Sequence, residues 1–170
     1  PARQHRGMKR ALACLAIAAC AVLPAAADTL PEQVRTEAAR LLMQVDAAGA
    51  AAKARAGLKP ATLAPALVGD LQRFAVAASR LSLEIDQRDG PKDLRCIFRG
   101  MAEETDVQLK AASVATTGTA QSVALSRLSH MLKDAVEIAP AVGGATALQA
   151  KTAANLKSAA AGKCETVRDF

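Results

Sequence analysis

The residues able to do chemistry in this 170-residue chain are few. There are two histidines, His5 and His130, and four cysteines, with no tyrosine or tryptophan. A Ser-His-Asp or Cys-His nucleophilic arrangement would have to use His130, with Ser126 and Ser129 close by on the same helical stretch. His130 follows Leu128 by two positions and adjoins Met131, at the edge of an apolar stripe. The expectation is a boundary histidine, with ligand binding or catalysis as its alternative. Structural zinc needs clustered Cys and His, and di-iron bundles need Glu-x-x-His on two helices. Neither pattern occurs. Glu103, Glu104 and Asp106 form one tight acidic cluster, but hard cations need more converging oxygens. Pairing of Glu103 with Arg99 and of Asp106 with Lys110 would make this a solvated helix face. No catalytic residue, metal or cofactor is expected.

Haem was weighed because exported helical bundles can carry it. Covalent attachment needs Cys-x-x-Cys-His, which is absent. The long Ala/Lys-rich C-terminal stretch resembles that of the b562-type cytochromes, a likeness that implies a Met ligand near the N-terminus and a His ligand near the chain end. Met43 lies well inside the first helical stretch and Lys163–Val167 contains no histidine, so the ligand pattern is not met. His130 with Met101 or Met43 would be a pairing outside that family. Ordinary core filling is the expectation for these methionines.

The most distinctive string is Cys96-Ile97-Phe98-Arg99-Gly100-Met101. A glycine inside a helix costs ~1 kcal/mol, so Gly100 is expected to serve close packing or a bend. Phe98, Arg99, Gly100 and Met101 form a candidate interaction site. Cys96 is either a disulfide half or a thiol activated near a helix N-terminus.

The chain has Lys+Arg 22 against Asp+Glu 16, a formal charge of +6. Met8-Lys9-Arg10 precedes a nearly pure apolar run, Ala11–Val22, and then Leu23-Pro24-Ala25-Ala26-Ala27. That is the plan of a secretory signal: a basic start, a short apolar segment, then small residues for cleavage. The run is too short for a ~30 Å hydrocarbon core. The expectation is a signal peptide over 8–27, with 1–7 as upstream residues. Alternatives are a lipid anchor through Cys20, after Ile17-Ala18-Ala19, or an uncleaved anchor. Removing Arg3, Arg6, Lys9 and Arg10 with the leader leaves 18 basic against 16 acidic residues, a net of +2. Export argues against a nucleic-acid partner, and no stable membrane span is expected after cleavage. Cys14 and Cys20 fall in the leader. Cys96 and Cys164 remain as the disulfide candidate for an oxidising compartment.

The elements that must position these residues follow from composition. Alanine supplies 42 of the 170 residues and aromatics only 2%, which disfavours sheets and favours helices. Helical spacing and breakers predict five helices: Thr29 to about Ala56, Thr62–Arg88, Pro91–Ala115, Ala120–Ala139 and Ala145–Val167. Their inward residues include Val34, Ala38, Leu41, Leu42 and Val45; Leu63 through Ile85; Leu94, Ile97, Phe98, Met101, Leu109 and Ala112; and Leu125 through Ala139. The fold class expected is all-α, a single-domain antiparallel bundle of four to five helices over 28–170. In strict up-down order Cys96 and Cys164 would lie ~30 Å apart, unless one break is a kink rather than a reversal or the last helix crosses the bundle. The function expected is a small exported envelope protein, periplasmic or secreted, that binds or scaffolds, its partner an envelope protein or small ligand. A ligand- or haem-binding bundle is the alternative, and a small enzyme using His130 or Cys96 a third.

Overall fold

The computed structural model describes residues 29–152, with side chains over 29–144. Four helices make up this region: α1 Leu30–Ala54, α2 Pro65–Gln87, α3 Lys92–Val114 and α4 Gly118–Thr152. Among the described residues there is no strand. The leader and the cysteines other than Cys96 lie outside the described residues.

The starts follow local chemistry. α1 opens behind an extended Thr29 whose side chain makes no capping bond; Glu32 occupies the first turn and pairs with Arg35 instead. α2 starts at Pro65, three residues later than the spacing predicts. Proline disfavours the helical region for the residue before it, and Ala64 is accordingly extended (φ −58°, ψ 129°).

The turn between α2 and α3 is a Schellman motif. Gly90 N–H donates to the Ile85 carbonyl at 2.8 Å, and Asp89 N–H donates to the Asp86 carbonyl at 3.1 Å. The geometry requires a left-handed residue, and Asp89 supplies it at φ 50°. Gly90 must be glycine for space: a Cβ there would lie 2.7 Å from Ile85 Cγ2 and 2.9 Å from its carbonyl oxygen. Asp89→Gly relieves the left-handed strain and is expected to stabilise by about 0.5–1 kcal/mol, whereas Gly90→Ala destabilises. Urea midpoints of the two variants check the opposite signs.

The fourth expected helix does not stop at Ala139 but runs on into the first eight residues of the fifth; the rest of the fifth, 153–167, lies outside the described residues. α4 runs through Pro140, Gly143 and Gly144 to Thr152, and no described glycine has positive φ. Proline in a helix interior removes one hydrogen bond and costs about 3 kcal/mol. The cost is offset by packing on the inner side. Ala135, Ala139 and Val142 are all buried, while Pro140 faces solvent. An apolar stripe that continues in register through the proline outweighs the break signal.

Neighbouring helices run in opposite directions. Down α1, the residues Ala52, Gly49 and Asp46 meet Gly118, Leu125 and Ser129 up α4. On α3 and α4, Thr105 meets Met131 while Ala112 meets Gln121. α1 packs on α4 and α2, and α3 packs on α2 and α4, an all-α helical bundle. The core holds most of the expected stripes, with Phe74, Phe98, Leu41, Leu71, Leu81 and Leu128 fully buried. Leu42, Leu63 and Leu94 are half-buried at its margin, and Ile97 is exposed.

α1 and α4 also complete each other's ends. Gly118 N–H donates to the Leu58 carbonyl and Thr119 N–H to the Ala56 carbonyl, each at 3.0 Å. Free N–H groups at a helix start thus meet free carbonyls beyond a helix end. Gln121, buried, donates to the carbonyls of Ala61 (2.8 Å) and Ala112 (3.2 Å).

Candidate functional site

His130 is exposed on α4. Its neighbour Ser129 is engaged elsewhere, its hydroxyl donating to Asp46 Oδ1 on α1 at 2.6 Å. Met43 is 70% exposed, whereas Met101 is buried in the core. Met101 therefore does not share the exposed surface on which His130 and Met43 lie.

The string around Phe98 divides between two environments. Phe98 is 0% exposed and Met101 is buried. Arg99 and Gly100 face solvent, and Arg99 Nε pairs with Glu103 at 3.0 Å, as the spacing predicts. No single surface presents all four residues. The packing role expected of Gly100 is not found: a Cβ there would meet nothing within 4 Å, and α3 continues through it to Val114. Gly100→Ala is thus expected to raise stability by ~0.5–1 kcal/mol through the unfolded state, read as a rise in the urea midpoint at unchanged m. Cys96 is half-buried in the second turn of α3 and has a partner interaction.

Several charged groups sit in surface pairs. Arg88 binds Glu84 at 2.7 Å. One network crosses between helices: Asp70 of α2, almost buried, takes Arg40 of α1 at 2.7 Å and also Arg73. Arg40 holds Glu37 at 2.5 Å as well, and these hydrogen bonds, Glu37 first, push its guanidinium pKa up. The Arg35 hydrogen bond holds Glu32 below the usual carboxylate range. A buried carboxylate held by arginines of two helices ties those helices together.

The clearest concavity is a solvent-open groove of about 530 Å³ between α1 and α4. Val45, Gly49 and Leu125 make its apolar part, and Asp46, Lys53 and Ser126 its polar part. Gly49 lets the helices close up, since a Cβ there would already touch Leu125 Cβ at 3.7 Å. Ser129, whose hydroxyl donates to Asp46 Oδ1, lines the groove as well, but no histidine and no second carboxylate does. Among the described residues no group of three or more His, Cys, Asp or Glu could hold a metal ion, and no helix is long and apolar enough to cross a membrane.

The spacing of chemical groups did not single out the end of the bundle where α1 stops and α4 starts. Gly118, Thr119 and Gln121 organise it, and Lys53, Arg55 and Lys59 surround it. A signal was present: residues 47–69 contain no Asp or Glu. Cations near the end of α1 also complement its helix dipole, which masks their grouping. Comparison with protein-family models, with curated proteins and with solved structures returns no match.

Proposed function

We propose that this chain is an exported, non-catalytic protein of the cell envelope that works by binding or scaffolding through its outer surface. The observation that carries the reading is the filled interior. Phe74 and Phe98 are completely buried among the leucines and alanines of all four helices, and the clearest concavity lies outside that core. Ligand-binding sites are ordinarily enclosed, apolar and furnished with convergent polar groups. Haem titration of the purified protein tests the ligand-holding alternative. The expected spectrum is that of free haem alone, and a saturable shifted Soret band would overturn the reading.

Export rests on the 8–27 leader pattern, and lipidation at Cys20 is its rival. A Cys96–Cys164 disulfide belongs to the same reading, supported by the course of α4. Counting nine residues back from Thr105 and nine on from Met131, its contact on the antiparallel neighbour, makes Pro140 level with Cys96. The end of α4 is therefore on the Cys96 side of the bundle. Twelve residues separate Thr152 from Cys164. They can span up to ~40 Å, against an overhang past Cys96 of ~18 Å at 1.5 Å per residue. Such a link contributes ~4 kcal/mol in the chain-entropy account.

A further inference from the structure

The two ends of the bundle differ in charge. The end where α1 and α3 stop and α2 and α4 begin is built from residues 47–69 and 107–126. These stretches hold Lys53, Arg55, Lys59 and Lys110 and no Asp or Glu. The opposite end, from residues 30–40, 79–100 and 133–144, holds eight basic and eight acidic residues. All four cations of the first end are exposed, and none is in an ion pair among the described residues. Three acids lie just past these stretches: Asp70 is held by Arg40 and Arg73, Asp46 accepts from Ser129, and Asp106 is exposed one turn before Lys110.

Exposed apolar side chains share this end. Leu58 is 64% exposed at the tip of the α1–α2 loop, directly before Lys59. Val114 and Val123 flank the α3–α4 turn and are also exposed. The loop is not loose. Its Ala56, Leu58 and Ala61 carbonyls accept bonds from Thr119, Gly118 and Gln121, and Arg55 Nε donates to the Lys59 carbonyl at 3.0 Å. A fixed tip thus presents an apolar residue ringed by cations.

We propose that this end docks on an anionic phospholipid surface, with Lys53, Arg55, Lys59 and Lys110 against the headgroups and Leu58 in the interfacial layer. The inference deepens the surface-binding reading by naming the partner. Charge complementarity selects an anionic surface, because basic residues near such a membrane each strengthen binding roughly fivefold. Leu58 selects a lipid over a purely polar polyanion, because an apolar side chain gains from burial at the headgroup boundary. No helix among the described residues spans a membrane, so contact through this end by itself is peripheral and reversible.

The test is co-sedimentation of the exported form of the protein with vesicles of phosphatidylglycerol and phosphatidylcholine, or of phosphatidylcholine alone. Binding is expected to the anionic vesicles only, and to be lost at 1 M salt, where screening contracts to ~3 Å. The triple variant Lys53→Gln, Lys59→Gln, Lys110→Gln should bind on the order of 100-fold more weakly, and Leu58→Ser about tenfold more weakly. A triple of equal charge change at exposed sites elsewhere, Arg80→Gln, Lys92→Gln, Lys133→Gln, should bind like the parent. Circular dichroism confirms that each variant is folded. Three results would overturn the proposal: equal binding to neutral vesicles, equal loss in the two triples, or binding indifferent to Leu58→Ser. Absence of vesicle binding would also overturn it, while leaving a protein-binding role intact.

Discussion

Gly118→Ala is expected to destabilise the protein by about 3–5 kcal/mol. A Cβ at this position would be driven against the carbonyl oxygens of Ala52 and Arg55, closer than atoms can approach. Both obstacles are backbone, so no rotamer change clears the space. Overpacking against a flexible side chain costs ~1–3 kcal/mol; here α4 must shift away from α1. The shift would strain the bonds from Gly118 to Leu58 and from Thr119 to Ala56, each worth ~1 kcal/mol net. Gly57→Ala is the matched control, because a Cβ there meets nothing within 4 Å. It should fall within about 0.5 kcal/mol of the parent. Urea unfolding of the two variants reads the difference, and similar midpoints would show that the α1–α4 junction is looser than described.

Phe98→Ala is expected to cost about 3–5 kcal/mol, the range for truncating a buried phenylalanine. The side chain is completely buried on α3. Domains of this size hold only ~5–15 kcal/mol in total, so the variant should melt roughly 10–15 °C lower. Arg99→Ala, next to it, removes an exposed pair with Glu103 and should change stability by no more than ~0.5 kcal/mol. The contrast separates two accounts of the Cys96–Met101 string. A surface hot spot would lose binding on Phe98→Ala with little change in melting, whereas a core residue loses stability. A melting temperature unchanged by Phe98→Ala would contradict the packing described.

Much of the fold was legible because periodicity is a local property. Leu67, Leu71, Phe74, Ala78, Leu81 and Ile85 recur at helical spacing and all are buried. The exceptions have physical causes. Ile97 belongs to the apolar string by proximity, yet on the α3 wheel it falls about 100° from Phe98, and it is 37% exposed. The Pro140–Gly144 stretch reads as a break on propensity, but propensity is weak against tertiary packing, and Ala139 with Val142 holds the helix together. Gly118 reads as a terminator of the third helix. Its actual reason, the approach of the Ala52 and Arg55 carbonyls, is a contact across more than sixty residues, which no local pattern contains. The proposed docking surface was hidden for the same reason. Lys53, Arg55 and Lys59 are adjacent in sequence, but Lys110 and the exposed Val114 join them only once the helices pack.

The proposed protein is an exported domain that functions by its exterior and is closed by a bond between its two retained cysteines. Intact mass of the protein recovered from the periplasm, measured with and without reductant, tests this most directly. The expected species begins at Asp28 and gains two hydrogens on reduction. A mass that keeps the 8–27 segment, carries lipid on Cys20, or does not change on reduction would contradict it.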